Sequence, residues 1–282
     1  MTELTPLETL LGVEQGDDLP LPDKLAGLYG RLRFPPTREQ YAISNFVTTL
    51  DGVVALMAPG HESGGAISGN NQYDRLVMGI LRAVSDAVVV GAGTLRSVPG
   101  HIWTAEYIFP SLADEYAQLR KSLGKPEPPL NVIVSGSGNL VPNFRVFRSQ
   151  EVPVLIVTTP SGAKRIDALS MPRSVKVIAV EKDGPVSAGA ILNAANEARH
   201  SKMVLVEGGP ILMGDFMAER RLHELFITLA PQVAGRDGSV ERPGIVSGKR
   251  FAPDDPRWGT LVGAKRAGDH LFLRYAFTQT DS

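Results

Sequence analysis

Short, unbroken apolar runs alternate with helix-length segments through most of this chain, and that alternation restricts its fold more than any other feature. The runs lie in DAVVVGAGT (86–94), LNVIVSGSG (130–138), VPVLIVTT (152–159), VKVIAV (175–180) and KMVLVEGG (202–209). The runs at 86–94 and 130–138 are typical of strands buried on both faces, and the others read as strands. The segments between the runs supply the cover. In NNQYDRLVMGILRAV (70–84), Tyr73, Leu76, Val77, Ile80, Leu81 and Val84 form one stripe at helical spacing. Asn71 is placed to cap that helix, with Asp74 near its positive end. VSAGAILNAANEARH (186–200) reads as a second helix, capped by Ser187. Strands that alternate with helices give a mostly parallel sheet between helical layers.

The flanks modify this plan. WGTLVGAKRAGDHLFLRYAF (258–277) reads as two antiparallel strands turning at Ala267-Gly268-Asp269, so the sheet is expected to be mixed. PDKLAGLYGRLR (22–33) has helical spacing, and residues 1–20 read as a loose arm or a strap. YAISNFVTTLDGVVAL (41–56) reads as a strand, a bend at Asp51-Gly52 and a second short strand. Residues 58–69 read as a glycine-rich loop, and a helix is expected at Leu112–Lys121 with Ser111 as its cap. The expected organisation is an arm and helix at 1–37 ahead of one body at 38–282.

Composition removes several kinds of chemistry. The chain has no cysteine, which excludes disulfides, thiolate metal sites and cysteine nucleophiles. Its 29 Lys and Arg against 30 Asp and Glu leave a net charge of −1, so no basic surplus points to nucleic acid. No apolar run reaches the roughly 18 residues of a membrane span, and the start of the chain lacks the pattern of a signal peptide. The expected setting is the cytoplasm. There is no G-x-S-x-G elbow, and no His, Asp and Glu cluster has metal-ligand spacing. HEL at 223–225 lacks the second histidine of a zinc-protease motif.

The carboxyl ends of the apolar runs carry what remains. Ligands of open α/β sheets bind at that edge. GAGT (91–94), SGSG (135–138), TTPSG (158–162) and EGGP (207–210) all lie there. Glycines such as Gly91 and Gly93 let backbone N–H groups approach a phosphate, and a helix starting nearby adds partial positive charge. Each cluster alone is ordinary turn chemistry; together they suit a long ligand with several phosphates, such as a dinucleotide. No Walker A motif and no complete G-x-G-x-x-G is present. Asp51 is either a turn residue or a carboxylate at a site rim. Arg82 sits on a helix where arginine ordinarily faces water. Lys164 and Arg165 open a helix and either face solvent or meet an adenosine 2′-phosphate.

FVTTLDGVVA, SGGAISG, LRAVSDAVVVGAGT, NVIVSGSGNLVP, LVEGGPILMGDF and LHELFITLAPQVAGR follow one another in this order. This ordered set resembles the reductase domain of riboflavin biosynthesis, over roughly residues 38–277, and also a stand-alone branch of that family without the deaminase domain. The resemblance implies a dihydrofolate-reductase-like fold, α/β in class, with three α/β/α layers around a mixed, mostly parallel sheet. It implies NADPH as cofactor and hydride transfer to C1′ of a 5-amino-6-(5-phosphoribosylamino)uracil. Carried over by motif, Thr48, Ser68, Thr94 and Ser135 would touch NADPH, and Gly208, Gly209, Pro210, Ile211 and Leu212 would cradle its phosphates. Arg82 and Glu207 would face the substrate, with Asp51 and Glu207 at the reacting centre. The family's Gly–Gly bond is often cis, so a cis bond is expected at Gly208–Gly209. A homodimer through the antiparallel sheet edge is also implied.

One segment departs from the family. After GAGT its members usually continue with one or two acids, a proline and then an arginine that helps to hold the substrate phosphate. Here LRSVPGHIWTAEY (95–107) puts Ser97 and Val98 in place of the acids and has no such arginine. Either Arg96 or a residue of 101–129 replaces it, or the substrate carries no phosphate. The alternatives are therefore a reductase of a dihydrofolate, a pterin or another heterocycle on the same fold, and a non-catalytic nucleotide-binding protein.

Overall fold

The computed structural model describes residues 4–36, 39–61, 63–180 and 182–278; the expected boundary at residues 37 and 38 lies outside them. The strands are β1 (Glu8–Leu11), β2 (Asp17–Asp18), β3 (Arg33–Phe34), β4 (Tyr41–Thr48), β5 (Ala87–Gly91), β6 (Leu130–Ser135), β7 (Val154–Thr158), β8 (Val175–Ala179), β9 (Met203–Val206), β10 (Glu224–Leu229), β11 (Gly259–Ala267) and β12 (His270–Phe277). The helices are α1 (Asp23–Tyr29), α2 (Gly64–Ser68), α3 (Gln72–Val84), α4 (Ala92–Ser97), α5 (Ala105–Ile108), α6 (Ala113–Ser122), α7 (Arg145–Arg148), α8 (Pro160–Asp167), α9 (Ala188–Arg199) and α10 (Pro210–Ala218).

Apart from the β2–β3 pair, these strands form one sheet in the order β1-β11-β12-β10-β4-β9-β5-β6-β7-β8. From β10 to β8 every neighbouring pair is parallel. The β12, β11 and β1 pairings are antiparallel. This is the mixed, mostly parallel sheet of the dihydrofolate-reductase-like fold.

Alternate residues of the apolar runs enter two separate cores, as a sheet buried on both faces requires. Val88 and Val90 of β5, Ile133 of β6 and Leu205 of β9 pack with α1, α3 and α6. Val89, Val132 and Val204 pack on the other side with α9 and α10. The Asn71 side chain caps α3 by accepting from Tyr73 N and Asp74 N, and Ser187 caps α9 through Ala190 N.

Several local expectations are corrected. No strand forms after the Asp51-Gly52 bend. Val53 O accepts from Thr49 N, and Val54 N donates to Pro243 O, so the segment closes on itself and on a distant loop instead of pairing. The glycine-rich loop contains α2. The helix at Leu112–Lys121 starts one residue later, at Ala113, without a side-chain cap from Ser111, because a 3₁₀ turn over Pro110–Leu112 leads into it. The helix expected to run to Arg33 ends at Tyr29, followed by Gly30. Part of the arm is a strap: β1 extends the sheet beyond β11, and Leu7 N bonds Leu28 O.

Candidate active site

Two strand-to-helix turns meet at the carboxyl edge of the sheet. β5 runs directly into α4, and β9 reaches α10 through Glu207-Gly208-Gly209. Glu207 N donates to Val89 O at 3.0 Å, which sets the second turn against the end of β5. A Cβ on residue 208 would lie 2.4 Å from Gly91 N and 2.5 Å from Val90 Cα. The two backbones touch there, and only glycine permits it. Gly209 N then donates to Thr94 Oγ1 at 2.9 Å, which ties the turns together. Pro210 opens α10, where its missing N–H costs nothing. Space is open above Gly91 and Gly93, and Ile211 is exposed beside them. Unpaired N–H groups in the first turn of α10 make this edge attractive to an anion.

The Gly208–Gly209 bond is trans, contrary to the expectation; the cis bond among the described residues is Ala252–Pro253. The close approach to β5 is met by the missing Cβ of Gly208, without a change of peptide geometry.

The other two glycine clusters are used differently. A Cβ on Gly138 would fall 2.2 Å from Gly162 O, and one on Gly162 would fall 2.1 Å from Thr158 Oγ1. SGSG and TTPSG are thus packed backbone to backbone. Thr158 Oγ1 donates to Ser135 O and Thr159 Oγ1 to Gly136 O, both at 2.6 Å. The Ser135 hydroxyl is buried without a partner at this edge. Lys164 and Arg165 are exposed.

Arg82 and Glu207 come together, and neither faces water. Arg82 Nε donates to Glu207 Oε1 at 2.9 Å, Nη2 to Oε2 at 2.6 Å, and Nη1 to Thr104 O at 3.1 Å. The two side chains are 2% and 6% exposed. The segment after α4 causes this burial by folding over the last turn of α3. Arg120 of α6 donates from Nη1 to Ala83 O at 2.9 Å and Ser85 O at 2.8 Å, and Lys125 Nζ bonds Val84 O at 2.7 Å. These cations close carbonyls that a helix end leaves open. Beside Thr104, His101 packs between Trp103 and Tyr107. Burial, with the nearby charges of Arg82 and Arg145, lowers the His101 pKa to about 2. Thr104 acts through a backbone carbonyl and Arg120 through helix capping, so no side-chain motif announces either.

The remaining candidates lie around the exit of β4. Asp51 Oδ1 accepts from Thr49 Oγ1 at 2.6 Å and from Ala234 N at 3.0 Å, and Oδ2 accepts from Gly235 N at 2.8 Å. These bonds hold its pKa at about 2, the Thr49 hydroxyl contributing most. Asp51 therefore fastens two loops and makes no contact with the Arg82–Glu207 pair. Thr48 Oγ1 is turned to Thr49 O and Val53 O, and Ser68 Oγ to Gly65 O. Asp74, read from the sequence only as a helix-end charge, is buried; burial raises its pKa, against the Thr228 and Ser68 hydroxyls. His223, which reads as a surface cap, instead stacks on Tyr41 and accepts from Ala42 N through Nδ1.

Among the described residues no helix is long and apolar enough to cross a membrane. The model of the RibD C-terminal domain family matches residues 40–258. No match is found among curated protein sequences. The chain is similar in structure to a pyrimidine reductase-like protein from Corynebacterium diphtheriae, with a TM-score of 0.67 and 21% identity over 91% of this chain and 99% of that one. It is similar to a diaminohydroxyphosphoribosylaminopyrimidine deaminase/5-amino-6-(5-phosphoribosylamino)uracil reductase from Thermotoga maritima, with a TM-score of 0.60 and 19% identity over 86% of this chain. It spans 57% of the length of that protein. The riboflavin biosynthesis reductase of Saccharomyces cerevisiae gives a TM-score of 0.54 and 15% identity over 87% of this chain and 93% of that one. At such identities the likeness is one of fold.

Proposed function

The chain belongs to the RibD C-terminal domain family, and from that premise we propose that it is an NADPH-dependent reductase of a ribosylaminopyrimidine of the 5-amino-6-(5-phosphoribosylamino)uracil type. The observation that carries this reading is the junction of the Gly208-Gly209 turn with Gly91–Thr94, at the start of α10. The residues present fit the cofactor. Open space over Gly91 and Gly93 and the first turn of α10 suit its pyrophosphate, with Pro210, Ile211 and Leu212 flanking it. The unpartnered Ser135 hydroxyl at the same edge suits a further polar contact. Thr48 and Ser68 complete the proposed contact set.

When bound, the reduced nicotinamide supplies the hydride that becomes the new C–H bond at C1′ of the ring-opened substrate. The protein's part is orientation. Arg82 holds the Glu207 carboxylate in a fixed bidentate geometry, and Glu207 presents its remaining lone pairs to the pyrimidine or its sugar chain. Asp51 acts here as a positioning residue, fixing the loop at Ala234 and Gly235 against the exit of β4.

One observation favours a second reading, a substrate without a phosphate such as a dihydrofolate, a pterin or another heterocycle. All three guanidinium nitrogens of Arg82 are engaged within the protein, and Arg96 is exposed on α4. Loss of nicotinamide absorbance separates the readings. The phosphoribosylaminopyrimidine, its dephosphorylated form and dihydrofolate are supplied in turn, with Glu207→Ala as control. Turnover of the first alone supports a phosphate-bearing substrate; turnover of the second or third alone supports the other reading. NADPH binding without turnover of any would identify a nucleotide-binding protein.

The exposed Leu10, Leu11, Leu261 and Trp258, on or beside the β1–β11 edge, support a homodimer through that edge. Sedimentation at two concentrations tests it, with Trp258→Ser as the dissociating variant. No nucleic-acid or membrane partner is proposed, and the proposed setting is cytoplasmic.

A further inference from the structure

A second concave site lies away from the glycine turns, under the N-terminal strap. It is a cavity of about 190 Å³ between the segment Thr9–Val13, Tyr29, Val77 of α3 and the inward faces of β10, β11 and β12. None of its lining residues belongs to the proposed cofactor or substrate set. A cavity of about 150 Å³ suffices for benzene, so this one has room for a single aromatic ring with one polar substituent. Val77, Phe226 and Phe272 supply apolar wall.

Two cations in the wall are incompletely answered. Lys265 Nζ donates to Thr9 Oγ1 at 2.9 Å and lies 4.8 Å from the Tyr29 ring centre, with no carboxylate partner among the described residues. Burial lowers its pKa, the mark of an ammonium short of compensation. Arg274 is buried between Phe34 and Phe226, its Nε and Nη2 bound to Glu224, while Nη1 has no partner. A buried, unpaired donor on a charged group is costly unless a ligand or water meets it. Arg31, also in the lining, is paired with Asp18, which Arg33 shares. Positive charge is in excess along this wall.

We propose that this cavity binds a small aromatic carboxylate of benzoate size, its anionic group held by Lys265 and its ring against Val77 and Phe226. Such a ligand bridges the strap to the sheet, because Lys265 already bonds Thr9 of the strap. The site needs neither NADPH nor a reducible substrate, so its test is independent of the catalytic reading.

The test is calorimetric titration of the whole chain with benzoate, with its neutral analogue benzamide and with inorganic phosphate. Benzoate is expected to bind one to one, about tenfold more tightly than benzamide, the margin set by a charge-assisted hydrogen bond. Lys265→Met is expected to remove that margin while leaving benzamide binding unchanged. Val13→Phe, which fills the cavity from the strap, is expected to abolish binding of both, with the native circular-dichroism spectrum retained. No benzoate binding at millimolar concentration, equal binding of benzoate and benzamide, or unchanged benzoate binding in Lys265→Met would overturn the proposal. Phosphate binding as tight as benzoate would overturn the aromatic part of it.

Discussion

Among the described residues two buried arginine–glutamate pairs are alike in geometry and unlike in setting. Arg82–Glu207 joins α3 to the tip of β9, with contacts of 2.9 and 2.6 Å. Arg274–Glu224 joins β12 to β10, with contacts of 2.6 and 2.7 Å. The first ties a helix to a turn at the proposed active edge, and its third nitrogen is satisfied by Thr104 O. The second lies between strands already in register, takes a further bond from Tyr41 Oη, and leaves its third nitrogen empty. A complete pair fixes one carboxylate, the one proposed to meet substrate. An incomplete pair sits where the fold is already secured by backbone bonds, and it leaves a donor for something else.

The largest effect is expected where that contrast is broken at the strand pair. Arg274→Met strands the Glu224 carboxylate in the core and should lower unfolding free energy by about 3–5 kcal/mol. Replacing both partners, Glu224→Met with Arg274→Met, should recover part of that loss, since apolar side chains of similar volume pack between Phe34 and Phe226, less the cost of the Tyr41 hydroxyl left without its acceptor. Urea unfolding midpoints measure both. A single variant within 1 kcal/mol of wild type would mean, on the same scale, that the pair is hydrated.

At the site pair the expected loss is in rate. Arg82→Lys keeps the charge but not the planar fork, so Glu207 loses its bidentate hold. Turnover should fall about 100-fold, as for a reacting group displaced by about 1 Å. Thermal unfolding should change far less than in Arg274→Met. Equal turnover in the variant would remove Glu207 from the proposed machinery.

The glycine turns sharpen the comparison on a smaller scale. Gly208→Ala places a methyl 2.4 Å from Gly91 N and should cost about 1–3 kcal/mol of stability, as overpacking does. Gly93→Ala meets nothing within 4 Å. It should leave unfolding unchanged and weaken NADPH binding, read by fluorescence titration, if the pyrophosphate lies over it. Equal NADPH affinity in Gly93→Ala and wild type would move the phosphates off α4.

What the sequence disclosed divides along the same line. The apolar runs at 86–91, 130–135, 154–158 and 203–206 are strands covered on both faces, whereas the similar run at 175–179 is the edge strand β8 and is largely exposed, so composition alone does not separate a central strand from an edge one. The turn at 207–210 was legible because its contact with β5 demands glycine at 208, whereas Gly91 and Gly93 meet nothing within 4 Å and mark open space. The burial of Arg82 was not legible from the helix stripe, since its cover comes from Thr104 and from α6, a segment with no periodic link to α3. Val53–Leu56 has strand composition but no strand neighbour at that point, so its donors go to loops. The cavity under the strap was equally hidden: Lys265 and Arg274 stand in an amphipathic hairpin pattern, and only the strap's course turns their surroundings inward.

The smallest expected effect concerns another acidic group at the proposed active edge, Asp51, whose carboxylate accepts from two backbone N–H groups and one hydroxyl, with the Arg236 guanidinium farther off at 3.7 Å. Its folded pKa of about 2 lies below the value of about 3.9 for an unfolded chain. The lowered value means that folding favours the ionised form. The associated stability is therefore fully present above pH about 4 and is lost as pH falls toward 2. The side chain is partly exposed, and solvent screening keeps the contribution small. Asp51→Asn should flatten the fall in stability across that window and leave stability at neutral pH only slightly lower, because the amide still offers one acceptor oxygen to the loop at 234–235. Arg274→Met should lower stability at pH 7 without flattening that window. If Asp51→Asn instead stops turnover at neutral pH while NADPH binding and the acid profile stay as in wild type, Asp51 touches the reacting atoms. The loop-fastening role assigned to it from its hydrogen bonds would then be wrong.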